Sequence, residues 1–189
     1  EMVSEDSELY RTHPEWAIQI PNRKPTRSRY QLVLDMTRQD VRDYLFRVIS
    51  DVLSSADISY VKWDMNRSIC DWYSAELPVD NMGEMQHRYV LGLYELLDRL
   101  TSEFPHILFE GCSGGGGRFD AGILYYCPQI WCSDDTDAYE RTKIQYGTSF
   151  FYPISTIGSH VSIVPNHQTG RITPFETRAV TAMSGSFGY

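Results

Sequence analysis

The stretch Tyr60-Val61-Lys62-Trp63-Asp64-Met65-Asn66-Arg67 reads as a strand that ends in charge, with an apolar run from Ile58 to Val61 leading into it. Side chains alternate along a strand, so Lys62, Asp64 and Asn66 share one face. If helices cover the other face, this polar face must line a cavity or the end of a barrel. An ammonium beside Asp64 favours the ionised carboxylate. An ionised, oriented carboxylate at the C-terminal end of a strand suits a nucleophile or a general base. The bland alternative is a structural ion pair at a strand end.

Around this stretch, apolar strands alternate with helical patterns. Ser4 to about Trp16 reads as a helix limited by Pro14. Gln31 to Asp35 reads as a short buried strand ending in a carboxylate. A helix capped by Thr37 follows, with Val41, Tyr44, Leu45, Val48, Ile49, Val52 and Leu53 at helical spacing. Val90, Tyr94, Leu97 and Leu100 mark a second amphipathic helix. Further strands are expected at His106 to Glu110, Gln129 to Ser133, Phe151 to Ile157 and from Ser186 to Tyr189. Helices are expected over Ala138 to Tyr146 and Thr173 to Ala182. Strand, loop, helix in repetition is the pattern of parallel α/β structure. Nearly every strand ends in a polar residue, which is the signature of a (β/α)8 barrel. Six strands fall short of a complete barrel. The expected fold is therefore α/β, a partial (β/α)8 TIM barrel lacking its first strands, with residues 1–189 as a single domain. The rival is an open doubly wound sheet, whose ligand would sit at one switch point.

At 189 residues, 42% hydrophobic and 13% aromatic, the chain has enough apolar material for a sizeable core. A net charge of -8 with no basic run argues against nucleic acid or an anionic membrane as a partner. No apolar run approaches the roughly 18 residues of a membrane span. The start at Glu1-Met2 and the stop at Gly188-Tyr189 suggest a segment of a longer protein. Cys70, Cys112, Cys127 and Cys132 form no CxxC pair, so free thiols in a reducing compartment are expected.

Two carboxylate sites stand out: Asp64, and the run Asp134-Asp135-Thr136-Asp137 after another strand. Glycoside hydrolysis needs such a pair, one ionised for attack and one protonated for the leaving oxygen. Crowding of like charge in the second run would raise one pKa, as an acid requires. The run equally suits an N-cap with acidic first-turn residues ahead of Ala138. Gly114 to Gly117 lacks the residues of a phosphate loop and reads as a turn with positive φ or close approach to a ligand. Cys112 has no histidine base beside it in sequence and reads as a wall residue. His160 and His167 lack ligand spacing, so no metal is expected. Trp63, Trp72 and Trp131 are core residues by composition, although tryptophan faces also stack on sugars.

Lys62-Trp63-Asp64-Met65-Asn66-Arg67, Cys112-Ser113-Gly114-Gly115-Gly116-Gly117-Arg118-Phe119-Asp120 and Ser133-Asp134-Asp135-Thr136-Asp137-Ala138 resemble the signatures of glycoside hydrolase family 36 α-galactosidases. Glu1-Met2-Val3-Ser4 and Pro165-Asn166-His167-Gln168 resemble its flanking segments. The likeness runs the length of the chain. It departs at Gly111, Ala121, Cys132 and Tyr139, where other residues are commoner.

The resemblance implies a retaining enzyme that hydrolyses terminal α-linked galactose from oligosaccharides such as melibiose and raffinose. Asp64 matches the nucleophile and Asp134 the general acid/base. Lys62, Cys112 and Gly115 match galactose-contacting positions, as does Arg29; Asn66 is added from its strand face. No cofactor or metal is implied. Bacterial members are often cytoplasmic homo-oligomers. Alternatives are α-N-acetylgalactosaminidase action, galactosyl transfer, or a non-catalytic fragment.

Overall fold

The computed structural model describes residues 1–188, which divide into two compact units. The first comprises Glu1–Ser59 and Arg67–Ile107, and the second Tyr60–Asn66 with the residues from Leu108 onward.

In the first unit, β1 (Met2–Ser4) pairs antiparallel with β2 (Gln31–Val33), Val3 opposite Leu32. The sequence suggested a helix from Ser4 and a strand of the parallel sheet at Gln31. Instead Ser4 ends a strand, and Ser7 caps α1 (Glu8–Thr12) by accepting from the Tyr10 amide at 3.1 Å. Thr37 does not cap α2 (Gln39–Ser54). The Asp35 carboxylate captures both its amide, at 2.9 Å, and its hydroxyl, at 2.6 Å. This side-chain turn competes with helix formation and delays the start to Gln39.

α3 (Met85–Glu103) buries Met85, Tyr89, Gly92, Leu93, Leu96, Leu97 and Leu100, a stripe with the helical period. Val90, singled out in the sequence, is 39% exposed, because the stripe runs through Tyr89 and Leu93 instead. Gly92 lets α3 close on the Met36 carbonyl: a Cβ there would lie 1.9 Å from that oxygen. The Arg42 guanidinium fastens the same turn, donating to the Met36 and Thr37 carbonyls at 2.8 and 2.9 Å and pairing with Glu95 of α3 at 3.0 Å.

The second unit holds five strands: β3 (Tyr60–Asp64), β4 (Leu108–Cys112), β5 (Gln129–Trp131), β6 (Ile157–His160) and β7 (Ser186–Gly188). They are parallel and stand side by side in chain order. A doubly wound sheet would reverse that order at a switch point, and these strands contain none. The sequence expected a strand over Phe151 to Ile157. It begins only at Ile157, because Pro153 opens a 3-10 turn over Ile154–Thr156. Tyr189, expected in the last strand, lies outside the described residues. Between the strands come α4 (Ile123–Tyr126), α5 (Ala138–Ser149) and α6 (Phe175–Ala182).

Register carries the strand alternation across the sheet. Lys62, Glu110 and Gln129 form one row, Asp64 and Cys112 another, and Trp131, Gly158 and Ser186 a third. That face is polar. The opposite face carries Val61, Trp63, Phe109, Ile130 and Ile157. At β6 this second face meets α5 and α6, where Ser159 donates to Gln145 at 3.0 Å and Gln145 to the Thr181 carbonyl at 3.1 Å. Among the described residues no helix is long and apolar enough to cross a membrane.

Asp137 caps α5, accepting from the Tyr139 and Glu140 amides at 2.8 and 3.3 Å. Burial opposes its charge. Hydrogen bonds from Thr169, those two amides and Arg171 outweigh burial and hold its carboxyl below the usual range. A depressed folded pKa contributes stability above the unfolded value near 4, which is lost as pH falls through the folded value. Asp137→Asn should cost about 1–3 kcal/mol at pH 7. The gap from wild type, read by thermal unfolding, should close below about pH 4. A pH-independent gap would contradict this account. Gly92→Ala should destabilise by about 2–4 kcal/mol through overpacking; an unchanged melting temperature would show that α3 does not depend on that approach.

Candidate active site

At the C-terminal ends of β3, β4 and β5 three loops interlock. The first hydrogen bond beyond the β3–β4 ladder runs from the Met65 amide to the Cys112 carbonyl, at 3.0 Å. Ser113 returns one to the Met65 carbonyl at 2.7 Å. Asn66 spans the gap: its amide donates to Asp64 Oδ2, and its Oδ1 accepts from the Gly114 amide at 3.2 Å. Asp64 is therefore held at the strand end with Asn66 on one side. On the other is Cys112, its partner in register on β4.

The glycine run joins this pair to the second carboxylate site. Gly115 has φ +84° and lies so close to the β5 loop that a Cβ would fall 2.8 Å from Ser133 Cα and 2.9 Å from the Asp134 amide nitrogen. Only glycine meets both demands without strain. The loop after β4 is thus seated on the backbone that presents Asp134. Asp134 Oδ1 accepts the Trp131 indole N–H at 3.1 Å. The neighbouring acids are engaged elsewhere. Asp135 accepts the Asp137 amide at 3.0 Å, and Asp137 is the buried cap paired with Arg171. This divides the acidic run as its sequence allowed: a cap, a turn former, and one carboxylate facing another way.

Lys62 departs from expectation. Its ammonium pairs with Glu110 at 3.4 Å rather than serving Asp64. Residues two apart on a strand are separated by roughly 6.6 Å, whereas a cross-strand neighbour lies about 4.8 Å away. Glu110 is only 4% exposed and also accepts from Gln129. Burial, reinforced by the Glu110 carboxylate, pushes the Tyr60 phenol above its ordinary pKa. Lys62 Nζ further stands 4.6 Å from the Trp131 ring centroid, and the Arg141 guanidinium 4.5 Å from it. His160 stacks on the same indole at 4.4 Å, tilted by 4°. Burial pushes the His160 imidazole below its ordinary value, and the Arg141 and Lys62 charges act in the same direction. Trp131 is therefore already occupied by protein groups. Tyr60, Lys62, Glu110, Gln129, Trp131 and His160 line a concavity of about 390 Å³ on the polar face.

Burial, reinforced by the Asp64 charge, pushes the Cys112 thiol up to about 11. At neutral pH it is a protonated wall residue, not a nucleophile. All four cysteines are free thiols. Arg29 belongs to the first unit, in a turn where it and Tyr30 take φ of 52° and 59°. Lys62, Asp64, Asn66, Cys112, Gly115 and Asp134 are brought together in the second. Among the described residues no group of three His, Cys, Asp or Glu side chains is placed to hold a metal. The sequence reading assigned no role to Glu110 or Ser113 and weighed His160 only as a metal ligand. Glu110 carried a signal, since it interrupts an apolar strand on the face shared with Cys112.

A family model described as Melibiase matches residues 1–189. The bifunctional α-galactosidase/sucrose kinase AgaSK of Mediterraneibacter gnavus is 62% identical over all of this chain, which covers 19% of that protein. Two crystal structures of the α-galactosidase AgaA of Geobacillus stearothermophilus superpose with TM-scores of 0.97 at 60% identity, again over the whole chain and 26% of theirs. One carries an aspartate-to-asparagine substitution with raffinose bound, and the other an aspartate-to-alanine substitution with stachyose. The chain spans about a quarter or less of the length of these relatives. A match of model and relatives over every residue has one reading: this chain belongs to the Melibiase family.

Proposed function

We propose that residues 1–189 are the catalytic segment of a retaining α-galactosidase, with Asp64 as nucleophile and Asp134 as acid/base. The observation that carries the reading is the interlocked pair of carboxylates at the C-terminal ends of two parallel strands, joined through Asn66, Gly114 and Gly115. The substituted aspartates of the two sugar-bound relatives are separated by the same interval in the chain as Asp64 and Asp134, which supports the assignment.

In the first half-reaction an Asp64 oxygen bonds to the anomeric carbon as the glycosidic bond breaks. The bond's electron pair goes to the departing oxygen, which takes the proton from Asp134. In the second, Asp134 removes a proton from water. The water oxygen bonds to the anomeric carbon, Asp64 leaves, and Asp134 is again protonated. Lys62, Asn66, Cys112 and Gly115 are the galactose-contacting set in this reading, with melibiose and raffinose as substrates. Sequential parallel order and a polar face opposite an apolar one support a place in a single (β/α)8 barrel domain. A cytoplasmic location and a homo-oligomeric parent belong to the same proposal and rest on the family resemblance.

Two variants of the full-length protein test the roles. Asp64→Ala should lower turnover by about a thousandfold or more, and azide should restore it while giving the galactosyl azide of inverted configuration. Near-normal activity would remove Asp64 from the mechanism. Asp134→Ala should cripple melibiose hydrolysis, where the leaving oxygen needs a proton, by about 100-fold or more. It should spare the first step with a dinitrophenyl galactoside, whose phenolate leaves unaided. Equal loss on both substrates, with the leaving-group dependence appearing in Asp135→Ala or Asp137→Ala, would move the acid to one of those positions.

A further inference from the structure

The Trp131 side chain has one hydrogen-bond donor, and it is spent on one named oxygen of one carboxylate. The indole N–H meets Asp134 Oδ1 at 3.1 Å. The indole itself is fixed from several sides. Trp131 is 5% exposed, His160 stacks on it, and the Lys62 and Arg141 cations stand at 4.6 and 4.5 Å from ring centroids. Arg141 is anchored in turn, donating to the Ser133 carbonyl at 3.0 Å and the Gly158 carbonyl at 2.6 Å. A ring so held does not rotate to follow its partner; the partner's carboxyl plane is set by the ring.

We propose that Trp131 is a positioning residue for the acid/base, one that divides the labour between the two oxygens of Asp134. The proposal rests on the reading of Asp134 given above. Oδ1, whose lone pair is committed to the indole, does not carry the proton. The proton resides on Oδ2, which is thereby turned toward the glycosidic oxygen. In the first half-reaction that proton moves from Oδ2 to the departing oxygen as the oxygen receives the electron pair of the broken bond. In the second half-reaction Oδ2 takes the proton back from water. Oδ1 accepts the indole N–H in both states, so no hydrogen bond must be broken between the two steps.

The same ring also carries Lys62 on its surface, so plain truncation would disturb sugar contacts and proton transfer together. The test therefore uses two variants of the full-length protein. In one, residue 131 is replaced by the tryptophan isostere β-(3-benzothienyl)alanine, which keeps the bicyclic shape and lacks the N–H. The other is Trp131→Phe. Active sites are counted by the burst of dinitrophenolate, so that misfolded molecules drop out of the comparison. The isostere should lose about 10- to 100-fold in kcat/KM on melibiose, the range of a hydrogen bond to an ionisable group. It should stay within about threefold on the dinitrophenyl galactoside, and its inhibition by free galactose should be unchanged. Trp131→Phe should show the same ratio with an added rise in KM on both substrates. An isostere with the wild-type ratio of the two activities, or one that loses both equally, overturns the proposal. Asp134→Ala run beside it separates failure of the acid/base role from failure of the Trp131 role. If Asp134→Ala shows no leaving-group dependence, the acid/base reading fails and the proposal falls with it. If Asp134→Ala shows that dependence and the isostere does not, only the Trp131 assignment fails.

Discussion

Parallel pairing in register is the constraint on which the second unit depends. A strand presents alternate side chains to opposite faces, and a ladder without slips carries that alternation from strand to strand. Over β3 to β7 it sorts Lys62, Asp64, Glu110, Cys112, Gln129, Trp131 and His160 onto one face and Val61, Phe109, Ile130 and Ile157 onto the other. A slip of one residue between β3 and β4 would turn Asp64 into the apolar layer. It would also leave Glu110 buried without Lys62, at a cost of several kcal/mol. The Met65–Cys112 and Ser113–Met65 hydrogen bonds pin the register where slippage would do most harm.

Charge is then distributed so that two carboxylates stay out of ion pairs. Glu110 takes the Lys62 ammonium, Asp137 takes Arg171 and the first amides of α5, and Arg141 is consumed by backbone carbonyls and the Trp131 face. Asp64 and Asp134, by contrast, accept from uncharged donors: the Asn66 amide for the first, the Trp131 indole for the second. Neutral donors orient a carboxylate without committing it to an ion pair. That leaves it able to change its bonding in a reaction, as a paired carboxylate is not.

Much of this was legible in the sequence. The polar strand end at Lys62 to Asn66, the glycine turn, the cap in the acidic run and the α/β alternation all follow from local rules. Those rules reached their limit where partners come from distant positions. That Lys62 answers Glu110 rather than Asp64 depends on the offset between two strands, which neither strand encodes alone. That Gln31 pairs antiparallel with Ser4, outside the parallel sheet, depends on competition between edges. Thr37 is held by the Asp35 carboxylate instead of capping α2, and the buried stripe of α3 runs through Leu93 rather than Val90 because the two share apolar character but have different neighbours. Trp131 was legible only as a buried aromatic; its indole donor acquired meaning once Asp134 was placed beside it.

The proposed mechanism requires a covalent bond between Asp64 and the sugar. Its most direct test is to inactivate the full-length protein with a fluorinated galactosyl fluoride, whose glycosyl-enzyme turns over slowly, then digest it and weigh the peptides. One fluorogalactosyl group per molecule is expected, on the peptide that contains residues 60–67, with fragmentation placing it on Asp64. A label on the peptide bearing Asp134, or no covalent label together with release of the inverted anomer, would contradict it.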